Sequence, residues 1–258
     1  MKTIKKAVIL TAGLGKRMYP ASKVIPKEMF PIVDMPALQF LVNDLIKSGV
    51  TEILIVSSKE KTCIQNYFNN NKAQISYIYP NQALGVADAV LHAKNFVQNQ
   101  PFILLFGDVL FFGKKSSVQQ MLDLFNTTGN AIVATNRVPK NQVNLYGCLE
   151  YCEILDQKFV VNIKEKPKIN EAPSNLVLIG QYILYPQIFK YLEKMQENEL
   201  FTDCLLKYAN KKSLQIAIIN GECFDIGSKS GFVLANIYMG LKHKETAKAV
   251  KKYLSIKK

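Results

Sequence analysis

The chain has 258 residues, of which 48% are hydrophobic and 21% charged, a balance that suits a folded globular protein and excludes a disordered or fibrous one. Lysine and arginine outnumber aspartate and glutamate to give a net charge of +13, which favours anionic partners, phosphates above all. Charge alone does not make a nucleic-acid binder, and no RNP1 pattern, zinc finger or basic-aromatic stripe accompanies it.

The first element is IKKAVILTAG, from Ile4, a β-branched and nearly continuous apolar run that predicts a central strand buried on both faces. Lys5 and Lys6 stand just before its apolar run as in a secretory leader, but TAGLGKR follows at once and leaves no cleavage site. No apolar run approaches the roughly 18 residues that cross a bilayer, so no membrane partner is expected. Residues 36–49 place Leu38, Leu41, Val42, Leu45 and Ile46 on one helical face, with Pro36 to start and Gly49 to stop it.

Residues 51–58 then read as a second strand, 59–68 as a helix and 73–80 as a third strand, followed by a helix over 85–97 and the strand PFILLFGD. Strands alternating with helices at these lengths predict right-handed crossovers and an α/β, doubly wound, mostly parallel sheet. From about residue 131 the strands crowd together, in AIVATNRV, YGCLEYCEIL, KFVVNIKEK and LVLIGQYILY, which predicts antiparallel pairing. Helices over about 186–196 and 202–210, the strand SLQIAIIN and a helical tail from 228 complete the chain. With no linker or internal repeat, residues 1–258 are expected to form one domain: about 1–130, an antiparallel part over about 131–227, and the tail, about 228–258. The tail's apolar stripe, Phe232, Ala235, Tyr238 and Met239 and then Ala247, Val250 and Leu254, faces its own core in the ordinary case, with a homo-oligomer interface as the alternative.

Chemistry concentrates in the first turn, TAGLGKRMYPASKVIPKEMFP, where glycines after a buried strand let backbone N–H groups approach a phosphate. It is not a dinucleotide fingerprint, because Met18 stands where the third glycine belongs, nor a P-loop, because Arg17 follows Lys16 where Ser or Thr is required. Arg17 and Lys27 in the same loop could clamp a triphosphate, with Lys23 as a further candidate. Their position at the carboxyl end of a central strand favours function over a solvated surface. Asp108 closes the strand FILLFGD at that same edge, and Asp225 follows another strand; each is a hard oxygen donor suited to magnesium, or else a turn aspartate. His92 and His243 cannot build a zinc site, and no GxSxG elbow is present. Five cysteines with no CxxC pair fit a reduced cytoplasm.

The segment AGLGKRMYPASKVIPKEMFPIVDMP resembles the signature of the sugar-nucleotide pyrophosphorylases, the bacterial UDP-glucose pyrophosphorylases in particular. The resemblance continues in family order through LGVADAV, GDV, YG, EKPK, APSNLVLIGQYIL and FDIGSKSG, almost to the C-terminus. It implies a Rossmann-like nucleotidyltransferase fold with an antiparallel sugar-binding part, and a magnesium-dependent joining of UTP to glucose 1-phosphate. By the same resemblance Ala12, Gly13, Gly15 and Gly85 hold the nucleotide, with Asp108 and Asp225 on Mg2+ and Arg17 and Lys27 on the phosphates. Glu165 accepts bonds from sugar hydroxyls, Lys166 pairs with the sugar phosphate, and Gly147 and Gly180 give backbone contacts to the sugar. The chain departs from the pattern at Pro80, where the bacterial UDP-glucose enzymes usually have a uracil-pairing Gln, and at Lys16, Ala87 and Leu200. Those departures keep dTTP, ATP or CTP, another hexose phosphate, or a non-catalytic nucleotide-binding role as alternatives.

Overall fold

In the computed structural model, which describes residues 4–69, 73–82 and 84–255, the first apolar run forms β1 (Lys6–Leu10). Ala7, Val8 and Ile9 are sealed from solvent, as a strand covered on both faces requires. A glycine-bearing loop and the short hairpin β2 (Pro31–Ile32) and β3 (Met35–Pro36) lead into α1 (Ala37–Lys47). The chain continues through β4 (Glu52–Val56), α2 (Thr62–Phe68), β5 (Gln74–Ile78), α3 (Val86–Leu91), α4 (Lys94–Val97) and β6 (Phe102–Phe106). β1 pairs in parallel with β4 and β6, and β4 with β5, so these four strands all point their carboxyl ends at one edge. Alternate residues go to opposite cores: Ala7, Ile9, Ile53 and Ile103 pack with α1, while Val8, Leu54 and Leu104 pack with α3.

After β6 the chain leaves the main sheet as β7 (Val109–Phe112), which pairs antiparallel with β13 (Glu222–Asp225). The second half runs α5 (Ser117–Thr128), β8 (Ala131–Arg137), β9 (Gly147–Ile154), β10 (Gln157–Glu165), β11 (Leu176–Leu184), α6 (Phe189–Leu192), α7 (Phe201–Ala209) and β12 (Leu214–Ile218). The nine-stranded sheet is ordered β5-β4-β1-β6-β11-β8-β12-β10-β9, parallel as far as β6 and with antiparallel pairs beyond it, as the crowded strands predict. β8 and β12 pair in parallel. β13 and the tail helices α8 (Lys229–Gly240) and α9 (Ala247–Ser255) follow.

Three element predictions need correction. The helix expected over 85–97 is two, because Ala93 N closes onto Val90 O at 2.9 Å and breaks the register at His92. The helix expected from 59 begins only at Thr62. That expected over about 186–196 is a 3-10 turn, Pro186–Ile188, and the single turn of α6. The tail is helical as expected, in two helices, the last three residues lying outside the described ones, and a Cβ on Gly240 would lie 3.3 Å from Val250 Cγ2 where they cross. The sequence reading also assigns nothing over 109–130, although Ser116 Oγ accepts from Gln119 N at 3.2 Å and Gly129 ends α5 at φ 68°, both ordinary helix punctuation. Ala235 is buried and Phe232 and Met239 pack on the core, as the first half of the stripe predicts, but Leu254 of its second half is exposed and α9 buries no residue, and Val233 and Leu234 on α8 are exposed too. Among the described residues no helix is long and apolar enough to cross a membrane.

Candidate active site

The first four parallel strands deliver their following loops to one edge, where the sequence places Asp108. Gly107 turns the chain there, and no other residue fits: a Cβ would meet Leu10 O and Thr11 Cγ2 at 2.8 Å. Asp225 arrives from more than a hundred residues away because β13 lies on β7 with Asp225 opposite Val109, and Ile226 N donates to Asp108 O at 2.9 Å. The two carboxylates face a common point. The position a Cβ would take on Gly227 is 2.8 Å from Asp108 Oδ2, 2.9 Å from Asp225 Oδ1 and 2.8 Å from Arg17 Nη2. Gly227 N also donates to Asp225 Oδ1 at 2.9 Å, which fixes that carboxylate's orientation.

Two cations of the first loop, Lys27 and Arg17, rest on these acids. Lys27 Nζ is ion-paired with Asp108 Oδ2, and Arg17 Nη1 lies 3.0 Å from Asp225 Oδ2. The Lys27 pair is largely shielded, whereas Arg17 is 64% exposed, so its pair adds little to stability. Gly15 makes the bend at φ 64°, and Ser22 Oγ closes it by donating to Gly15 O at 2.8 Å. The Gly13 backbone runs alongside, a Cβ there falling 4.0 Å from Lys27 Nζ. Lys23 is not brought in: its ammonium lies over the Tyr19 ring, 5.3 Å from the centroid.

The other candidate residues gather at the opposite end, where β9, β10 and β11 meet. Glu165 is in register with Gly147, and a Cβ on Gly147 would come within 3.0 Å of Glu165 Oε2. Burial pushes the Glu165 carboxyl up, Lys166 pulls it back and Asp203 adds to the rise. Lys166 itself has φ 43°, an unfavourable left-handed conformation for a side chain of this size, held by donation from its N to Tyr146 O at 3.0 Å. Gly180 lies where β11 shifts register against β8, at φ 68°, with a Cβ position 2.7 Å from Phe106 Cδ2. Burial raises the Tyr146 phenol, Asp225 and Cys223 raise it further and Arg17 lowers it, while the Tyr146 carbonyl accepts from Lys166 N, so this residue links the two ends.

One cavity of about 560 Å³ joins them, lined by Arg17, Gly85, Asp108, Gly147, Glu165, Lys166, Gly180 and Asp225, a volume typical of a small-molecule site. Gly85 opens α3 at φ 107°, and Val86 and Ala87 line the same wall. Ala12, Gly13, Gly15 and Lys27 form the loop beside the cavity, which they reach through Lys27 and Asp108. Sequence reasoning passed over four residues. Gly227 sits within the quoted FDIGSKSG block, but its spatial role depends on β13 reaching β7. Tyr146, next to the candidate Gly147, lines the cavity. Glu28, which lies within the quoted signature segment but was given no role, and Lys61, which no motif marks, form a shielded pair behind the loop.

A family profile described as nucleotidyl transferase matches residues 6–240. The UTP--glucose-1-phosphate uridylyltransferase of Staphylococcus epidermidis is 34% identical, covering 98% of each chain. The structure titled UTP-bound UGPase from Acinetobacter baumannii superposes with a TM-score of 0.90 at 31% identity, covering 97% of this chain and 98% of that one. A UDP-glucose pyrophosphorylase complexed with UDP-glucose superposes at 0.88 with 31% identity, over 93% of this chain and all of that one.

Proposed function

The chain belongs to the nucleotidyl transferase family, and from that premise we propose that it joins UTP to glucose 1-phosphate, giving UDP-glucose and pyrophosphate. The observation that carries this reading is the convergence of Asp108, Asp225, Lys27 and Arg17 at one end of a cavity whose other end holds Glu165 and Lys166. Two polyanions must be brought together, and the ends supply acceptors and cations in the required places.

A phosphate oxygen of glucose 1-phosphate attacks the α-phosphorus of UTP in line and expels pyrophosphate, with no covalent intermediate on the chain. The nucleophile is already ionised, so the protein's task is to position it and offset repulsion. Lys166 holds the sugar phosphate and Glu165 accepts from the sugar hydroxyls, while Gly147 and Gly180 let the ring approach the backbone. Lys27 holds the transferred phosphate and Arg17 the departing pyrophosphate, each exchanging a carboxylate partner for a phosphate oxygen. Ala12, Gly13, Gly15 and Gly85 flank the nucleoside and its phosphates. Asp108 Oδ2 and Asp225 Oδ1, two hard donors facing one point, fit Mg2+, which takes few protein carboxylates and completes its shell with phosphate and water. When bound, the ion would neutralise charge on the triphosphate. Five free cysteines, two exposed and one partly so, suit a reducing cytoplasm.

A second reading keeps the reaction and changes the base. Pro80, which has no side-chain hydrogen-bonding group, and Ala87 on the cavity wall favour it. Pyrophosphate release across a panel of nucleoside triphosphates and sugar 1-phosphates decides: release fastest with UTP and glucose 1-phosphate is expected. A faster pair with another base establishes the second reading, and no release from any pair despite tight nucleotide binding overturns both.

A further inference from the structure

Glycine lets the loop after β1 approach a ligand but does not aim it. Lys61, just ahead of α2, lies behind that loop with its side chain only 11% exposed. Its ammonium donates to the carbonyls of Thr11 and Gly13, the latter at 2.8 Å, and to Glu28 Oε2 at 3.0 Å. An ammonium has three protons, and each has an acceptor here. A trans peptide sets the C=O of one residue and the N–H of the next on opposite sides. Drawing the Thr11 and Gly13 carbonyls onto Lys61 therefore turns the Ala12 and Leu14 N–H groups away from it. Among the described residues no acceptor takes the N–H of Ala12, Gly13 or Leu14.

Glu28 completes the device. It is 1% exposed, with its charge set against Lys61, and its Cγ lies 3.3 Å from where a Cβ on Gly107 would stand, beneath the turn that carries Asp108. One buried pair thus braces both the amide-bearing loop and the carboxylate turn. We propose that Lys61 is a positioning residue for the nucleotide: it holds the amides of Ala12 and Leu14 as outward donors and, through Glu28, steadies the Asp108 turn. The proposal rests on the nucleotide reading of that loop.

Lys61→Met alone would strand the Glu28 charge, so the deciding variant is Lys61→Met/Glu28→Gln, with Lys61→Arg as the charge-conserving companion. UTP binding is measured by calorimetry, and KM for UTP and for glucose 1-phosphate by pyrophosphate release. With the parent binding UTP, the double variant is expected to bind it about tenfold more weakly and to raise its KM alike, the size of one or two oriented hydrogen bonds. The glucose 1-phosphate KM stays near the parent's, and Lys61→Arg restores part of the UTP affinity. UTP affinity equal to the parent's, or equal losses for both substrates, overturns the proposal. If the double variant does not fold, Lys61→Arg alone decides, because a planar guanidinium cannot reproduce the three ammonium bonds, and parental UTP affinity in it overturns the proposal. A parent that binds no triphosphate at all sinks the nucleotide reading instead, and this proposal with it.

Discussion

Gly227→Ala adds one methyl at the point where both candidate metal carboxylates and Arg17 converge. The backbone tolerates it, since Gly227 is not among the glycines with positive φ. The space does not: the methyl would stand 2.8 Å from Asp108 Oδ2, 2.9 Å from Asp225 Oδ1 and 2.8 Å from Arg17 Nη2, where ordinary contact begins near 3.4 Å. What must retreat is the end of three side chains, by about half an ångström, an extra methyl of the kind that costs about 1–3 kcal/mol in a packed site. Removing glycine's freedom in the unfolded chain returns about 0.4–1 kcal/mol. The net loss is therefore about 2.6 kcal/mol at most, or a melting point lower by up to about 10 °C.

Activity has no such reserve. The groups that yield are those proposed to hold the metal and the leaving group, and a misplacement of about 1 Å can cost a hundredfold. Gly227→Ala is expected to lower kcat/KM for UTP by about tenfold to a hundredfold and to raise the magnesium concentration at half-maximal rate. The assay is continuous pyrophosphate release over a magnesium titration, with a thermal melt beside it. A kcat/KM within twofold of the parent at unchanged magnesium dependence would refute the convergence argument.

Asp108→Asn and Asp225→Asn should each abolish measurable turnover while circular dichroism stays parental, and full activity in either removes the metal assignment. Glu165 is raised by burial, so it takes up a proton at higher pH than an exposed glutamate; as pH falls, the KM for glucose 1-phosphate should rise early in the parent. In Glu165→Gln that KM should be about tenfold higher but flat with pH, and a parent-like acid limb in the variant argues against the assignment. Burial also pushes the Asp44 carboxyl up from 3.8 to about 6 against the pull of Lys47. The folded chain then binds this proton more tightly than the unfolded one, so stability is full below the ordinary value and falls by up to about 3 kcal/mol as pH rises to the folded one. Urea midpoints should show Asp44→Asn stabilised at pH 7.5 and little changed at pH 4; equal effects at both would contradict the burial.

The parallel half of the fold was readable because its strands are covered on both faces and its α1 crossover helix has a wide apolar stripe. α1 falls within two residues of its predicted bounds, and β1 fills the apolar centre of its predicted run but ends three residues sooner. The helix over 85–97 was not divisible by pattern, since its apolar spacing continues through the His92 break and only the local tightening at Ala93 reveals it. Candidate residues on loops directly after strands, such as Asp108, were found because strand ends have fixed destinations. Gly227 and Lys61 were not. Their roles arise from what lies opposite them in space, β7 for one and the Thr11–Gly13 carbonyls for the other, and a one-dimensional pattern carries neither.

The seam between β6 and β11 explains why the cavity sits where it does. β6 is the last of the four parallel strands, and β11 runs against it, so the carboxyl edge of the first half meets the start of the antiparallel half there. Asp108 follows β6, while Gly180 in β11 presses against Phe106 of β6, close enough that any side chain at 180 would collide with the ring. Replacing that glycine would force the seam apart or tilt Phe106 into the cavity. The ends that carry Asp108 and Glu165 would then move relative to one another. The β7–β13 ribbon adds the second carboxylate to the same seam from the far end of the chain. Sequence distance between the two aspartates is thus a consequence of topology: one acid comes from the loop after β6 and the other from near the C-terminal end of the chain, and the ribbon's register brings their carboxylates to face one point.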